Sequence, residues 1–215
     1  MTLFDLFFLA SVLFVVTLCG AIAVAEIRRR RDTTGRLLRI LGGYVALYAL
    51  ALLGISLLLP RRFYAPGERR CFDDWCVASV EAKIADGSAG VTCQGDPGRH
   101  NWIATIQISS DAKRVRQRAP DARAELEDQQ GKRYQPCGAP LIRGNAHARL
   151  MSDELGPGES FYVLLPFRLP DETRPAGLVV HHGDFPSIVI IGADQSLLHP
   201  PALQRFLATG EFSVR

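Results

Sequence analysis

LFFLASVLFVVTLCGAIAVA, residues 6–25, and ILGGYVALYALALLGISLLL, residues 40–59, contain no Asp, Glu, Lys, Arg or His. Each run is about twenty residues long, enough to cross roughly 30 Å of hydrocarbon as a helix. Ala21, Ala23 and Ala25 could imitate the small-residue cleavage site of a signal peptide. A signal peptide needs a basic leader and a shorter apolar core, however, and Met-Thr-Leu-Phe-Asp precedes this run. The two runs are therefore expected to remain as a transmembrane hairpin.

Between them lies EIRRRRDTTGRLLR, residues 26–39, with Arg28, Arg29, Arg30, Arg31, Arg36 and Arg39. Basic residues in short loops stay on the cytoplasmic side. Arg61, Arg62, Arg69 and Arg70 oppose this bias only weakly, because they precede a long domain that crosses largely regardless of charge. The expected topology is a two-pass inner-membrane protein with both termini extracytoplasmic. Setting aside the six arginines before residue 60 leaves 19 of 25 basic residues beyond it, and setting aside Asp5, Glu26 and Asp32 leaves 19 of 22 acids. A formally neutral outer domain argues against nucleic acid, which demands a basic excess. The arginine cluster reads instead as a topology determinant that attracts anionic lipid of the bilayer.

Cys19 falls in the first apolar run, while Cys71, Cys76, Cys93 and Cys137 all fall in the outer domain. Four cysteines beyond a membrane fit two disulfides in an oxidising compartment such as the periplasm. Three connectivities are open, and proximity and loop position favour Cys71 with Cys76 and Cys93 with Cys137. A structural zinc site is disfavoured, since the tight chelating pair it needs is missing from the spacing.

Neither run carries an intramembrane charge of the kind that marks ion paths or proton relays. Thr17, Ala21 and Ala25 on the first and Gly42 and Ala46 on the second recur at four-residue spacing, which predicts a close helix seam near the cytoplasmic end. Phe4, Phe7, Phe8, Phe63 and Tyr64 would sit at the outer interface.

Beyond residue 70 the dominant period is two. Cys76, Ala78, Val80, Ala82 and Ile84 alternate with Val77, Ser79, Glu81 and Lys83, and Trp102, Ala104, Ile106 and Ile108 alternate with Thr105, Gln107 and Ser109. Further strands are expected at 122–129, 133–135, 160–167, 177–182 and 187–191, with turns at Gln130-Gly131-Lys132 and Gly183-Asp184-Phe185-Pro186. Short strands with Gly and Pro punctuation and no long amphipathic helices indicate an antiparallel all-β sandwich or barrel. Residues 138–158 have no clean period and read as a long loop, with room for an edge strand near 148–151. The expected organisation is a hairpin over 1–60 (helices at about 4–25 and 40–59, basic loop 26–39), a linker over 61–70, a sandwich over 71–205 and a tail over 206–215.

Phe72-Asp73-Asp74-Trp75-Cys76, then Leu155-Gly156-Pro157-Gly158-Glu159-Ser160 leading into Leu165-Pro166-Phe167-Arg168-Leu169-Pro170, and late Ile191-Gly192-Ala193-Asp194-Gln195-Ser196-Leu197-Leu198-His199-Pro200, resemble bacterial extracytoplasmic immunoglobulin-like domains of unknown function. The resemblance spans roughly residues 70–205. It implies an immunoglobulin-like β-sandwich tethered to a membrane, and no particular activity. Cys71, Cys93 and Cys137 are not part of that pattern.

Asp73 and Asp74 are adjacent, so a regular strand would point them to opposite faces, and they read as turn formers beside a packing Trp75. His181 and His182 diverge for the same reason and cannot chelate one ion together. One of them could combine with His100, His147 or His199 only if the fold gathered them. Nucleophile elbows, phosphate loops and zinc-protease helices are all missing from the sequence. The expected protein is a non-catalytic module with no cofactor, presenting loops or edge strands to an envelope protein, peptide or glycan. The alternatives are an envelope enzyme or metal-dependent sensor built on histidines, and a structural subunit acting through the hairpin.

Overall fold

The computed structural model describes residues 3–85, 93, 98–138, 149–183 and 187–207. The chain divides into two compact units, one of Met1–Arg61 with Asp184–Pro200 and one of Arg62–Gly183 with Pro201–Arg215. This departs from the expected division, because a stretch assigned to the sandwich belongs with the helices.

The first unit contains α1 (Leu3–Ile27) and α2 (Arg31–Leu58), both long and apolar enough to cross a membrane. The connection is far shorter than the expected loop 26–39. Arg28, Arg29 and Arg30 make the turn, with Arg29 at φ 55°, and Arg31, Arg36 and Arg39 lie on α2. An uninterrupted apolar run marks only part of a helix, and good helix formers such as arginine and leucine extend it beyond that run.

The small-residue seam is not where the helices meet. Ala25 is buried, but Thr17, Ala21, Gly42 and Ala46 are exposed, and a Cβ on Gly42 would meet nothing within 4 Å. Aromatics join the helices instead. The Tyr44 hydroxyl donates to Ser11 Oγ (2.7 Å), which donates to Phe7 O (2.8 Å), while Phe14 packs on Tyr44 with ring centroids 4.7 Å apart. An apolar cleft of about 320 Å³ lies along this pair, between Val12 and Val16 of α1 and Val45 and Leu52 of α2.

Residues 187–191, expected as a strand, form turns. Short apolar runs without alternation do not specify a strand. Here Ile190 N–H donates to Ser187 O (3.2 Å), Ala193 to Ile190 O (3.3 Å) and Ser196 to Ala193 O (3.0 Å), closing one turn after another.

In the second unit β1 (Phe63–Tyr64), β9 (Leu203–Arg205), β8 (Pro175–His181), β5 (Arg123–Asp128) and β6 (Arg133–Tyr134) form one sheet in that order. The other sheet runs β2 (Arg70–Phe72), β3 (Trp75–Ile84), β4 (Arg99–Ser110) and β7 (Ser160–Pro170). All pairs are antiparallel except β1 with β9. Val77, Ile106, Ile108, Val163 and Phe167 from the second sheet share a buried core with Leu126, Leu178 and Val180 from the first. Two sheets enclosing one apolar layer make a β-sandwich.

The alternation in β4 is as expected, with Trp102, Ala104, Ile106 and Ile108 in the core. In β3 the phase is not as expected. A bulge between Ser79 and Glu81 shifts the register, so Trp75 and Val77 enter the core before it and Ala82 after it, while Ile84 is exposed. An extra residue in one strand exchanges its faces. Cys76 and Ala78 are buried too, on the opposite side of the strand.

Three strands lie outside the expected set. β1 occupies the expected linker, β2 is three residues long, and β9 follows the helical-unit stretch. At Gly177 on β8 a Cβ would come 2.9 Å from the Leu203 side chain and collide with the Gln204 carbonyl, so β9 needs glycine opposite it. Residues 149–151 carry no strand, and Ala148 lies outside the described residues.

Candidate functional site

The β2–β3 hairpin closes on Asp73 and Asp74, since Phe72 pairs with Trp75. Asp73 takes φ 55° and Asp74 O accepts from Asp111 N–H (2.8 Å), so both aspartates shape the turn as expected. One step back, Cys71 faces Cys76 in the same ladder and is bonded to it, with Cα atoms 3.9 Å apart. Cys93 is bonded to Cys137, with Cα atoms 5.6 Å apart. Of the three connectivities open to the sequence, this is the one that proximity favoured. Cys19 is a free thiol on α1.

Asp111 stands against the first disulfide. One carboxylate oxygen lies 3.6 Å from Cys76 Sγ and 3.9 Å from Cys71 Sγ, and the other accepts from Arg69 (2.6 Å). Among the described residues this is the one cluster of His, Cys, Asp or Glu compact enough to hold a metal ion. Its sulfurs are bonded to each other, however, and a metal takes the thiolate.

The histidines are dispersed. His100 lies 3.5 Å from Asp171, His182 pairs with Asp121, and His199 Nδ1 lies 3.2 Å from Ser56 O within the helical unit. His181 ends β8, and His147 lies outside the described residues.

The most elaborate polar arrangement surrounds His182. Because Arg123 pairs with His181, Asp121 and His182 emerge together just beyond the paired end of β5 and β8. One Asp121 oxygen meets His182 Nδ1 at 2.6 Å, and the other accepts the Gly183 N–H at 2.8 Å. The imidazole stands edge-on to Trp75 (5.1 Å) and Phe72 (5.7 Å) of the other sheet. Arg70 stacks 4.4 Å over Phe72 and donates to Val180 O (3.0 Å). Desolvation raises the Asp121 pKa, but the Gly183 and His182 hydrogen bonds and the charge of His182 outweigh it, so the carboxyl sits below its ordinary range. The arrangement clamps one sheet to the other at this end of the sandwich. Sequence reasoning missed Asp121 because the pairing depends on strand register.

The Leu155-to-Ser160 motif is equally architectural. Leu155 is fully buried, Gly158 takes φ 68°, and Glu159 accepts from Gly156 N–H (2.8 Å) and from Arg149 (2.5 Å). These two bonds hold the Glu159 carboxyl below its usual range.

A cleft of about 360 Å³ opens between Pro120 and Arg123, Gln135 and Gly138, and Leu150 and Met151. β7 is the last strand of its sheet among the described residues, and Tyr162 on it is 61% exposed.

The chain matches no described protein family, and no curated protein is significantly similar to it in sequence. Among solved structures, it is similar to an uncharacterised β-sandwich protein of Clostridium difficile, with 12% identity over 57% of this chain and 88% of that one at a TM-score of 0.41. It is also similar to the secreted protein MPT63 of Mycobacterium tuberculosis, with 13% identity over 58% of this chain and 92% of that one at a TM-score of 0.41. A conserved hypothetical protein of Bacillus anthracis gives 13% identity over 57% and 91% at a TM-score of 0.38.

Proposed function

We propose that this chain is a two-pass membrane-anchored module whose immunoglobulin-like sandwich works outside the cytoplasm and binds another envelope protein or peptide, without catalysis. The observation that carries the anchoring is the exposure of apolar side chains along both helices, Leu13 at 68%, Leu50 at 69% and Leu57 at 66% among them. Leucines so exposed on helices of this length need lipid around them. Arg28 to Arg31 at the turn support a cytoplasmic position for it, and two disulfides support an oxidising location for the sandwich.

The contact surface is the outer edge of β7. An edge strand offers main-chain donors and acceptors to an added strand, and Tyr162 supplies an exposed aromatic anchor. A photoreactive residue in place of Tyr162, in the full-length protein in native membranes, is expected to trap one discrete partner. The same residue in place of the exposed Val115 is expected to trap none. Equal or absent trapping at the two positions would remove the edge as the contact surface.

A further inference from the structure

We propose that residues 187–200 form a re-entrant loop seated within the outer half of the bilayer, with Ile188, Leu197 and Leu198 facing acyl chains. The proposal rests on the reading of α1 and α2 as membrane spans.

The loop's contacts descend along α2. His199 Nδ1 meets Ser56 O, and Ser196 Oγ lies 2.9 Å from Ser56 Oγ. Deeper, the Tyr48 hydroxyl donates to Val189 O at 2.7 Å. Tyr48 stands ten residues before the helix end at Leu58, which is roughly 15 Å at 1.5 Å per residue. That is about half of a hydrocarbon layer of roughly 30 Å. Near the N-terminal end of α1, the Phe4 ring lies so close to Gly192 that a Cβ there would come within 3.1 Å of it.

Non-helical backbone survives at such depth only when its polar groups are satisfied by protein. Besides the three turns already described, Leu197 N–H donates to Ile188 O (2.9 Å) and His199 N–H to Ser196 O (2.9 Å). The polar side chains that touch α2 are covered, Ser196 at 3% exposure and His199 at 9%. Its most exposed side chains are apolar, Ile188 at 38%, Leu197 at 43% and Leu198 at 59%, while Ser187, Asp194 and Gln195 are half-buried. Isoleucine and leucine as the most exposed side chains of a loop whose backbone bonds to itself and to α2 is the arrangement hydrocarbon favours.

The test uses full-length protein in native membranes with Cys19→Ala, the four disulfide cysteines kept, and single reporters Ile188→Cys, Leu197→Cys and Leu198→Cys. Leu13→Cys and Leu50→Cys report on the helices, Val115→Cys and Lys113→Cys on the sandwich surface. A membrane-impermeant maleimide is expected to label the three loop positions about tenfold or more slower than the sandwich positions, because the reacting thiolate is excluded from hydrocarbon. A nitroxide on the same cysteines is expected to collide with oxygen in preference to a water-soluble nickel chelate. Loop positions that label as fast as Val115→Cys, with both helix positions protected, would overturn the loop's depth and leave the spans standing. Fast labelling of Leu13→Cys and Leu50→Cys would overturn the spans and the loop with them.

Discussion

Asp121 accepts hydrogen bonds on both carboxylate oxygens, and its ionised form is what the Gly183 N–H and His182 favour. A carboxyl whose folded pKa lies below its unfolded value stabilises the fold fully above the unfolded pKa of about 4, and loses that contribution as pH falls through the folded value. Asp121 is half exposed, so solvent screening keeps the effect below about 1 kcal/mol. Asp121→Asn keeps the shape and removes the charge. In detergent-solubilised full-length protein, the variant is expected to unfold at lower urea than wild type at pH 5, with the gap narrowing by pH 3. A gap of the same size at both values would mean that the charge contributes nothing and the side chain acts by shape alone. Asp128 also uses both carboxylate oxygens: Oδ1 accepts from the Gln130 and Lys132 N–H groups and Oδ2 accepts from Tyr134. Burial pushes the Tyr134 hydroxyl up in pKa and its bond to Asp128 pushes it further, so it stays a donor throughout the physiological range.

Elements were legible where one face of a long strand is buried. β4 and β7 are 12 and 11 residues long; the alternation of β4, and the presence of a strand over 160–167 in β7, were visible without a structure. The β5–β6 turn was visible as well, because Gly131 at φ 82° answers a backbone requirement that leaves a residue-level mark. β1, β2 and β9 are two or three residues long, too short for a period to register. The bulge in β3 was hidden because all of Trp75 to Ser79 are buried, and a strand covered on both faces carries no phase. Asp121 and His182 lie 61 positions apart and meet only through the β5–β8 register. The two disulfides differ at this scale too. Cys93 and Cys137 close a separation of 44 residues, Cys71 and Cys76 only 5. Chain entropy alone then makes the longer bridge more stabilising by about 2 kcal/mol. Cys93→Ala with Cys137→Ala is therefore expected to lower the urea midpoint more than Cys71→Ala with Cys76→Ala. The reverse order would show that the short bridge acts on the native hairpin and not on the unfolded chain.

For the whole molecule, the chain passes between its two units at three points, after Arg61, after Gly183 and after Pro200. In the proposed two-pass topology, the arginines decide on which side of the membrane the sandwich folds. Arg28 to Arg30 form the turn and Arg31, Arg36 and Arg39 follow on α2, opposed by Arg61, Arg62, Arg69 and Arg70 after it. Replacing the first six by glutamine leaves four positive charges on the far side and none at the turn, so the bias of the short loop reverses. A C-terminal reporter active only outside the cytoplasm is expected to lose most of its signal in this variant. The sandwich would then fold in a reducing compartment, and the Cys93 and Cys137 thiols would become accessible to alkylation before any reductant is added. The two readouts need not move together. Loss of reporter signal with the thiols still blocked would point to a folding defect outside the cytoplasm. An unchanged reporter with intact disulfides would mean that the long outer domain, and not the arginine turn, sets the orientation.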